Sequence, residues 1–347
     1  SCLPSGVQLF SMFYSNPSLL KLVAEIIGGA PRLAEYLSRQ PQVLEIVLTA
    51  GFFDKLPKKQ QMKLELNRLL KSSFSLEDVI ITTQRWSNEK RFQVGVLCLL
   101  LKINQSQSAR ALSDIADIVI MALHKKVEDE MILQHGQISG SDLAILALGK
   151  LGSREMTPES DLDLVFIYDT PKDSSQSDGI KALPTEQYFS RLSQRLIAAM
   201  TAKTSEGHLY EVDMRLRPSG TAGPIASSLN SFRQYYARES WTWEQMALTR
   251  ARIICAPVEL KNKITKIINR ALTRRREPQL LSTDIIDMRE RILTTHKTNF
   301  IWDVKHIRGG LVDVEFISQF LQLLHGHKHP DIFVRDSKSV FKKMLNK

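Results

Sequence analysis

Two compact apolar runs, 143–148 and 162–168, interrupt a chain whose hydrophobic spacing is otherwise helical almost throughout. Both are short and bounded by Gly, Ser or Asp, which reads as strands buried on both faces. A third segment, 209–217, alternates apolar and polar residues and reads as a further strand. So few strands can build only a small sheet. The expected fold class is therefore α+β, predominantly helical, with a small mixed β-sheet flanked by helical domains.

The helical parts have their own punctuation. Leu19, Leu20, Val23, Ile26 and Ile27 recur at helical spacing, and Pro31 and Pro41 each suit the start of a further helix, over 32–38 and 42–50. Helical stretches follow over 58–71, 89–103 and 108–131, the last with Leu112, Ile115, Val119, Ala122 and Leu123 on one stripe. A Gly- and Ser-containing loop separates the first two strands, and 171–184 reads as a surface loop. An amphipathic helix over 186–203 turns Phe189, Leu192, Leu196 and Met200 inward. After about residue 228 the pattern is mostly helical, with a last strong apolar helix over 311–324. The expected divisions are a helical linker region at 1–137, a sheet-bearing core at 138–226 and a helical bundle at 227–347.

Composition narrows the class. A chain of 347 residues is longer than one core usually serves, and 43% hydrophobic with 24% charged residues excludes disorder and collagen. The longest apolar stretches, such as 94–101, fall short of the roughly 18 residues of a membrane span, and no signal-peptide pattern opens the chain. Cys2, Cys98 and Cys255 are odd in number, far apart and without metal-ligand spacing, which fits a reducing cytoplasm rather than a disulfide framework. Lys and Arg number 47 against 37 Asp and Glu, a charge of +10 that suits a nucleotide, a nucleic acid or an acidic protein surface without choosing among them. The first residue is not Met and the last residues continue a helical pattern, so the chain reads as a piece of a longer protein.

The chemistry concentrates in Leu148-Gly149-Lys150-Leu151-Gly152-Ser153 and Ser160-Asp161-Leu162-Asp163-Leu164. Asp161 and Asp163 lie two apart at the start of a predicted strand, so their side chains point the same way while Leu162 and Leu164 enter the core. Two carboxylates on one face repel unless a counter-ion joins them, and Mg²⁺ bridging a triphosphate suits both sets of oxygens. The third strand repeats the logic, with Glu211, Asp213, Arg215 and Arg217 alternating with Tyr210, Val212, Met214 and Leu216. If the strands are neighbours, Asp213 is a third carboxylate, and Arg215 and Arg217 are phosphate clamps. Gly152 lets the backbone approach a phosphate, and Ser153 adds a donor.

These stretches resemble the nucleotidyltransferase superfamily that includes DNA polymerase beta, and more closely the glutamine synthetase adenylyltransferase family. Further matches to that family are Tyr210-Glu211-Val212-Asp213-Met214-Arg215-Leu216-Arg217-Pro218-Ser219-Gly220, Glu239-Ser240-Trp241-Thr242-Trp243-Glu244, Ala247-Leu248-Thr249-Arg250-Ala251-Arg252 and Gly309-Gly310-Leu311-Val312-Asp313-Val314-Glu315-Phe316. The lead-in Pro31-Arg32-Leu33-Ala34 is similar to that family's interdomain region. Many relatives have Gly-Gly where this chain has Gly152-Ser153, and Pro158-Glu159 before Ser160 also departs from the pattern. The resemblance implies a polymerase-beta-like catalytic core and the C-terminal, adenylylating half of a two-site enzyme. That half moves AMP from ATP to a tyrosine of glutamine synthetase. The other half removes it by phosphorolysis.

Under that reading Asp161, Asp163 and Asp213 are catalytic and hold two Mg²⁺ ions. Gly152, Ser153, Ser160, Lys150, Arg215 and Arg217 contact ATP, although Lys150 reads equally as a solvated strand-end lysine. Glutamine synthetase and a PII-type signal protein are the implied partners, and the implied location is the cytoplasm. A template-independent RNA nucleotidyltransferase would share fold and metals, but only 7% of residues are aromatic and none interleave with basic residues for base stacking, which argues against nucleic acid. A non-enzymatic docking module would be expected to have lost one of the three carboxylates. Trp241 and Trp243 read as core or interface anchors, Arg274-Arg275-Arg276 as a solvated helix end, and His325, His327 and His329 as a surface loop. Glu244, Arg250, Arg252, Asp313 and Glu315 have no assigned role.

Overall fold

A computed structural model of the protein describes residues 6–39, 43, 56–296, 300 and 302–346. The helix expected over 42–50 lies outside the described residues except for Val43. The chain packs as two compact units. The first comprises Ser1–Leu123, Met156–Glu159 and Ala202–Leu209, and the second His124–Glu155, Ser160–Thr201 and Tyr210–Lys347.

The first unit is helical: α1 (Gly6–Ser15), α2 (Pro17–Gly29), α3 (Pro31–Arg39), α4 (Lys59–Leu69), α5 (Leu76–Leu99) and most of α6 (Gln105–His135). Pro17 supplies a helix start whose missing N–H costs nothing. Helix α5 begins well before the expected residue 89, because Ser75 and Asp78 form a reciprocal capping box. Its first turns bury the polar Thr83, Gln84 and Ser87, which hides the apolar period from the sequence. On α6 the predicted stripe is buried at Leu112, Ile115, Val119 and Leu123. Asp117, on the same buried stretch, pairs with Lys59 of α4 at 2.5 Å. Gln84 and Asn88 of α5 donate to the carbonyls of Ala202 and Glu206, and Arg85 pairs with the Glu206 carboxylate, which anchors the 202–209 segment.

The second unit holds a small mixed sheet. Its elements are β1 (Asp142–Ala147), α7 (Gly149–Ser153), β2 (Leu162–Asp169), α8 (Thr185–Thr201), β3 (Val212–Asp213), β4 (Ala226–Ser228), α9 (Leu229–Arg238), α10 (Thr242–Leu248), β5 (Arg252–Cys255), α11 (Val258–Leu272), α12 (Pro278–Thr295), α13 (Leu311–His325) and α14 (Ser337–Met344). The order is β3-β2-β1-β5, with β4 also on β2. β1 runs antiparallel to β2 and β5, while β3 and β4 run parallel to β2. Both faces are covered, as the continuous apolar runs required. Ala144, Leu146, Val165 and Ile167 join a core built with α9 to α13. On the opposite face Tyr168 stacks on Phe189 of α8 with ring centroids 4.5 Å apart.

Four local expectations change. The strand read over 209–217 pairs only at Val212–Asp213, because a turn closed by the Arg217 N–H on the Met214 carbonyl follows at once. The loop after β1 is the short helix α7, with the Gly152 N–H donated to the Leu148 carbonyl. The polar 171–184 segment is no free surface loop: Asp178 and Gly179 donate backbone N–H groups to Gln137 and His135, and Ser177 is buried. Sequence reading also missed β5.

Arg276 is no solvated residue either. Its guanidinium donates to the carbonyls of Ala271 and Leu272 at the end of α11, to Leu323 near the end of α13 and to the side chain of Gln245 on α10. It thus satisfies carbonyls that two helix ends leave open. Arg276→Met is expected to lower the unfolding free energy by about 3 kcal/mol, since it strands several acceptors at once. Urea denaturation checks this, and an unchanged midpoint would show the contacts to be idle.

Candidate active site

Asp163 on β2 and Asp213 on β3 are register partners in a parallel pair, so their carboxylates leave the same face. Asp161 precedes β2 and lies two residues upstream of Asp163. Further along β2 the same face carries Val165 and Ile167 under the helical core. The acids therefore lie at and just before the half-buried beginning of a strand whose middle is fully buried.

The turn between β1 and α7 presses directly on this pair. Gly149 has φ +50°, and a Cβ there would sit 2.0 Å from Oδ2 of Asp163. The N–H of Leu148 donates to the Asp163 carbonyl at 2.9 Å, which fixes the turn to β2. Gly152 works by close approach: a Cβ would meet the Arg250 carbonyl oxygen at 2.2 Å and that of Ala147 at 2.8 Å. Ser153 is buried, and its hydroxyl donates to the carbonyls of Gly149 and Lys150 at 3.2 and 3.4 Å. In this arrangement Gly152 and Ser153 seat α7 against the sheet. Lys150 also lies on α7, and Ser160 immediately precedes Asp161.

The charges divide unevenly. Burial, then the charges of Asp213 and Asp161, push the Asp163 carboxyl up to about 6, while Arg215 and Arg250 pull it down. Burial also raises Asp213, but hydrogen bonds from the Arg215 side chain and backbone outweigh it and hold Asp213 below the usual carboxylate range. Arg215 donates from its backbone N–H to Oδ1 at 2.8 Å, from Nε to Oδ2 at 2.8 Å and from Nη2 to Oδ2 at 2.5 Å. Arg217 is spent on its own loop, donating to the carbonyls of Met214, Thr221 and Gly223.

Arg250 enters the site without having been assigned to it. It is buried, its carbonyl is the group that demands a glycine at 152, and its Nη2 lies 3.2 Å from Glu315 of α13. Its positive charge favours the ionised form of Asp163. The sequence signal was the Ala247-Leu248-Thr249-Arg250 stretch, but only folding brings it beside β2. The other unassigned residues have structural partners. Glu244 is buried, accepts from the Tyr235 hydroxyl at 2.6 Å and caps α10 through the Trp241 N–H. Arg252 donates to the Leu151 carbonyl. Asp313 pairs with Arg289 and accepts from the Gly309 N–H, tying the loop before α13 to α12. Trp241 is exposed and so is no core anchor.

Among the described residues, no three His, Cys, Asp or Glu side chains stand in a ready-made metal-binding group. The donor chemistry nevertheless suits a hard divalent cation: acidic oxygens on one face, with the Asp163 carboxyl raised by burial and then by its acidic neighbours. Asp213 is engaged by Arg215. That pair is open to exchange, since the Arg215 side chain is 79% exposed. No helix among the described residues is long and apolar enough to cross a membrane.

Known proteins resemble this chain over nearly its whole length. The bifunctional glutamine synthetase adenylyltransferase/adenylyl-removing enzyme of Bradyrhizobium diazoefficiens is 43% identical over 330 residues, covering 95% of this chain and 33% of that protein. The enzymes of the same description from Rhodopseudomonas palustris and Xanthobacter autotrophicus are 43% and 41% identical, each over 94% of this chain and 33% of their own length. The chain thus spans about a third of the length of the curated relatives it matches. The sequence pattern of the glutamate-ammonia ligase adenylyltransferase family matches residues 20–267, more than half of the chain, and the chain belongs to that family.

Proposed function

We propose that this chain carries an AMP-transferring site and moves AMP from ATP to a tyrosine of glutamine synthetase. The register pairing of Asp163 with Asp213, with Asp161 just upstream, carries this reading in a chain of this family. The tyrosine oxygen bonds to the α-phosphorus, the bond from that phosphorus to the β-phosphate bridging oxygen breaks, pyrophosphate leaves and the phenolic proton passes to solvent. Asp161, Asp163 and Asp213 would hold two Mg²⁺ ions, which when bound offset the triphosphate charge and lower the pKa of the attacking hydroxyl. A polymerase-beta-like nucleotidyltransferase core, a PII-type signal protein as regulator and a cytoplasmic setting belong to the same reading.

The chain's own residues do the positioning. Arg215 releases Asp213 and turns its exposed guanidinium to the phosphates, with Lys150 and Ser160 as further contacts, while Ser153 keeps α7 seated on the sheet. Arg217 and Gly152 hold the surrounding backbone in place. Arg215 and Arg250 oppose the rise in the Asp163 pKa. Arg215→Met should raise KM for ATP about tenfold, the worth of one charge-assisted contact. An unchanged KM would remove Arg215 from the phosphates.

The names of the relatives contain both activities, so removal of AMP by phosphorolysis is the competing reading. Labelled ATP, Mg²⁺ and unmodified glutamine synthetase distinguish them. Label on the synthetase, lost in an Asp161→Ala plus Asp163→Ala variant, supports transfer. Release of ADP from adenylylated synthetase on adding phosphate, with no forward transfer, assigns the site to removal.

A further inference from the structure

A cavity of about 620 Å³ opens between α9 and α11 in the second unit, and none of the candidate catalytic residues lines it. Its charged lining is Arg233 from α9, Lys266 and Arg270 from α11, and Arg274 just beyond, with no acidic residue among them. Lys266 and Arg270 lie one turn apart on α11, so like charges stack along one face and repel. Among the described residues Lys266 and Arg270 have no hydrogen-bond or ion-pair partner, while the guanidinium groups of Arg233 and Arg274 donate only to Asn230 and to the Ala237 carbonyl.

The second observation is Tyr236. It lines the cavity, it is only 3% exposed, and its hydroxyl makes no hydrogen bond to any described residue. The hydroxyl oxygen itself is not enclosed by protein, so it is free to donate to a bound group. Burial raises its pKa, so it stays a protonated donor at neutral pH. Ala237, Ile267 and Ala271 give the cavity an apolar wall. Four cations and a hydroxyl donor call for a multiply charged anion, the guanidinium forks suit phosphate, and the apolar wall suits an organic body. The volume lies within the range of small-molecule pockets.

We propose that this cavity binds an organic polyphosphate, held by Arg233, Lys266, Arg270 and Arg274 with the Tyr236 hydroxyl donating to it. The site is separate from the carboxylate cluster and does not depend on the direction of AMP transfer.

Isothermal titration of the full chain with ATP in excess EDTA tests it, because without a divalent cation the carboxylates repel a triphosphate. Saturable binding should appear, weaken at least about tenfold in Lys266→Gln plus Arg270→Gln, and weaken several-fold in Tyr236→Phe with an unchanged melting temperature. It should survive in Asp161→Ala plus Asp163→Ala. Inorganic tripolyphosphate should bind the same cavity more weakly, lacking the apolar contact. The proposal is overturned by the absence of saturable binding, or by binding that persists in the folded Lys266/Arg270 variant.

Discussion

Asp163→Asn is expected to reduce AMP transfer about a thousandfold or more and, at the same time, to make the chain harder to unfold. The first effect follows from removing a carboxylate that the proposed Mg²⁺ site needs. The second follows from the same carboxylate's surroundings. Burial and the charges of Asp213 and Asp161 raise its pKa from 3.8 to about 6. The folded state therefore binds the proton more tightly than the unfolded state does. Between about pH 4 and 6 the unfolded chain is ionised there while the folded chain is not, so stability falls as pH rises through that window and stays low above it. The full difference corresponds to about 3 kcal/mol as an upper bound.

Urea denaturation at pH 8 should show the variant more stable than the unaltered chain, and the gap should close towards pH 4. A variant less stable at pH 8 would mean that the three carboxylates do not strain the fold. Adding Mg²⁺ should stabilise the unaltered chain at pH 8 and the variant far less. The opposite sign holds for Asp213: its lowered pKa contributes stability above the usual carboxylate range, lost as pH falls.

Gly152→Ala is the second large effect. The new methyl would lie 2.2 Å from one backbone carbonyl oxygen and 2.8 Å from another, and neither belongs to a flexible side chain. Either α7 lifts off the sheet or the turn carrying Arg250 moves. Overpacking of this kind costs about 3 kcal/mol or more when backbone must shift. A lowered urea midpoint is expected, together with reduced transfer in whatever remains folded, because Arg250 no longer faces Asp163. A wild-type midpoint would show that α7 accommodates the methyl freely. Gly149→Ala differs in kind. It strains a left-handed φ and pushes on a carboxylate, so it should depress transfer more than stability.

How much of this was legible in the sequence depends on the range of the interaction. The continuous apolar runs of β1 and β2 announced strands buried on both faces, and the helical stripe of α6 announced its buried residues, because local periodicity reports burial directly. The early start of α5 was hidden by its buried polar residues, although Ser75 and Asp78 spelled out the capping box. The two residues of β3 could not be separated from the longer alternation around them, since pairing ends where a turn begins and not where the pattern does.

By itself the sequence determined the class of fold, the strand that carries Asp163 with Asp161 just before it, and the family to which the chain belongs, all of which reside in contiguous stretches. Only the tertiary structure decided that Asp213 meets Asp163 in register, that Arg215 holds Asp213, and that Arg250, paired with Glu315 of α13, arrives from the turn after α10 to favour the ionised Asp163. It also converted Arg276 from an exposed cation into a staple between helix ends, and gathered Arg233, Lys266, Arg270 and Tyr236 around one cavity. The physical reason is common to all of these. A side chain's spacing along the chain fixes which face it takes, but its charge state and partners depend on what folding places opposite that face.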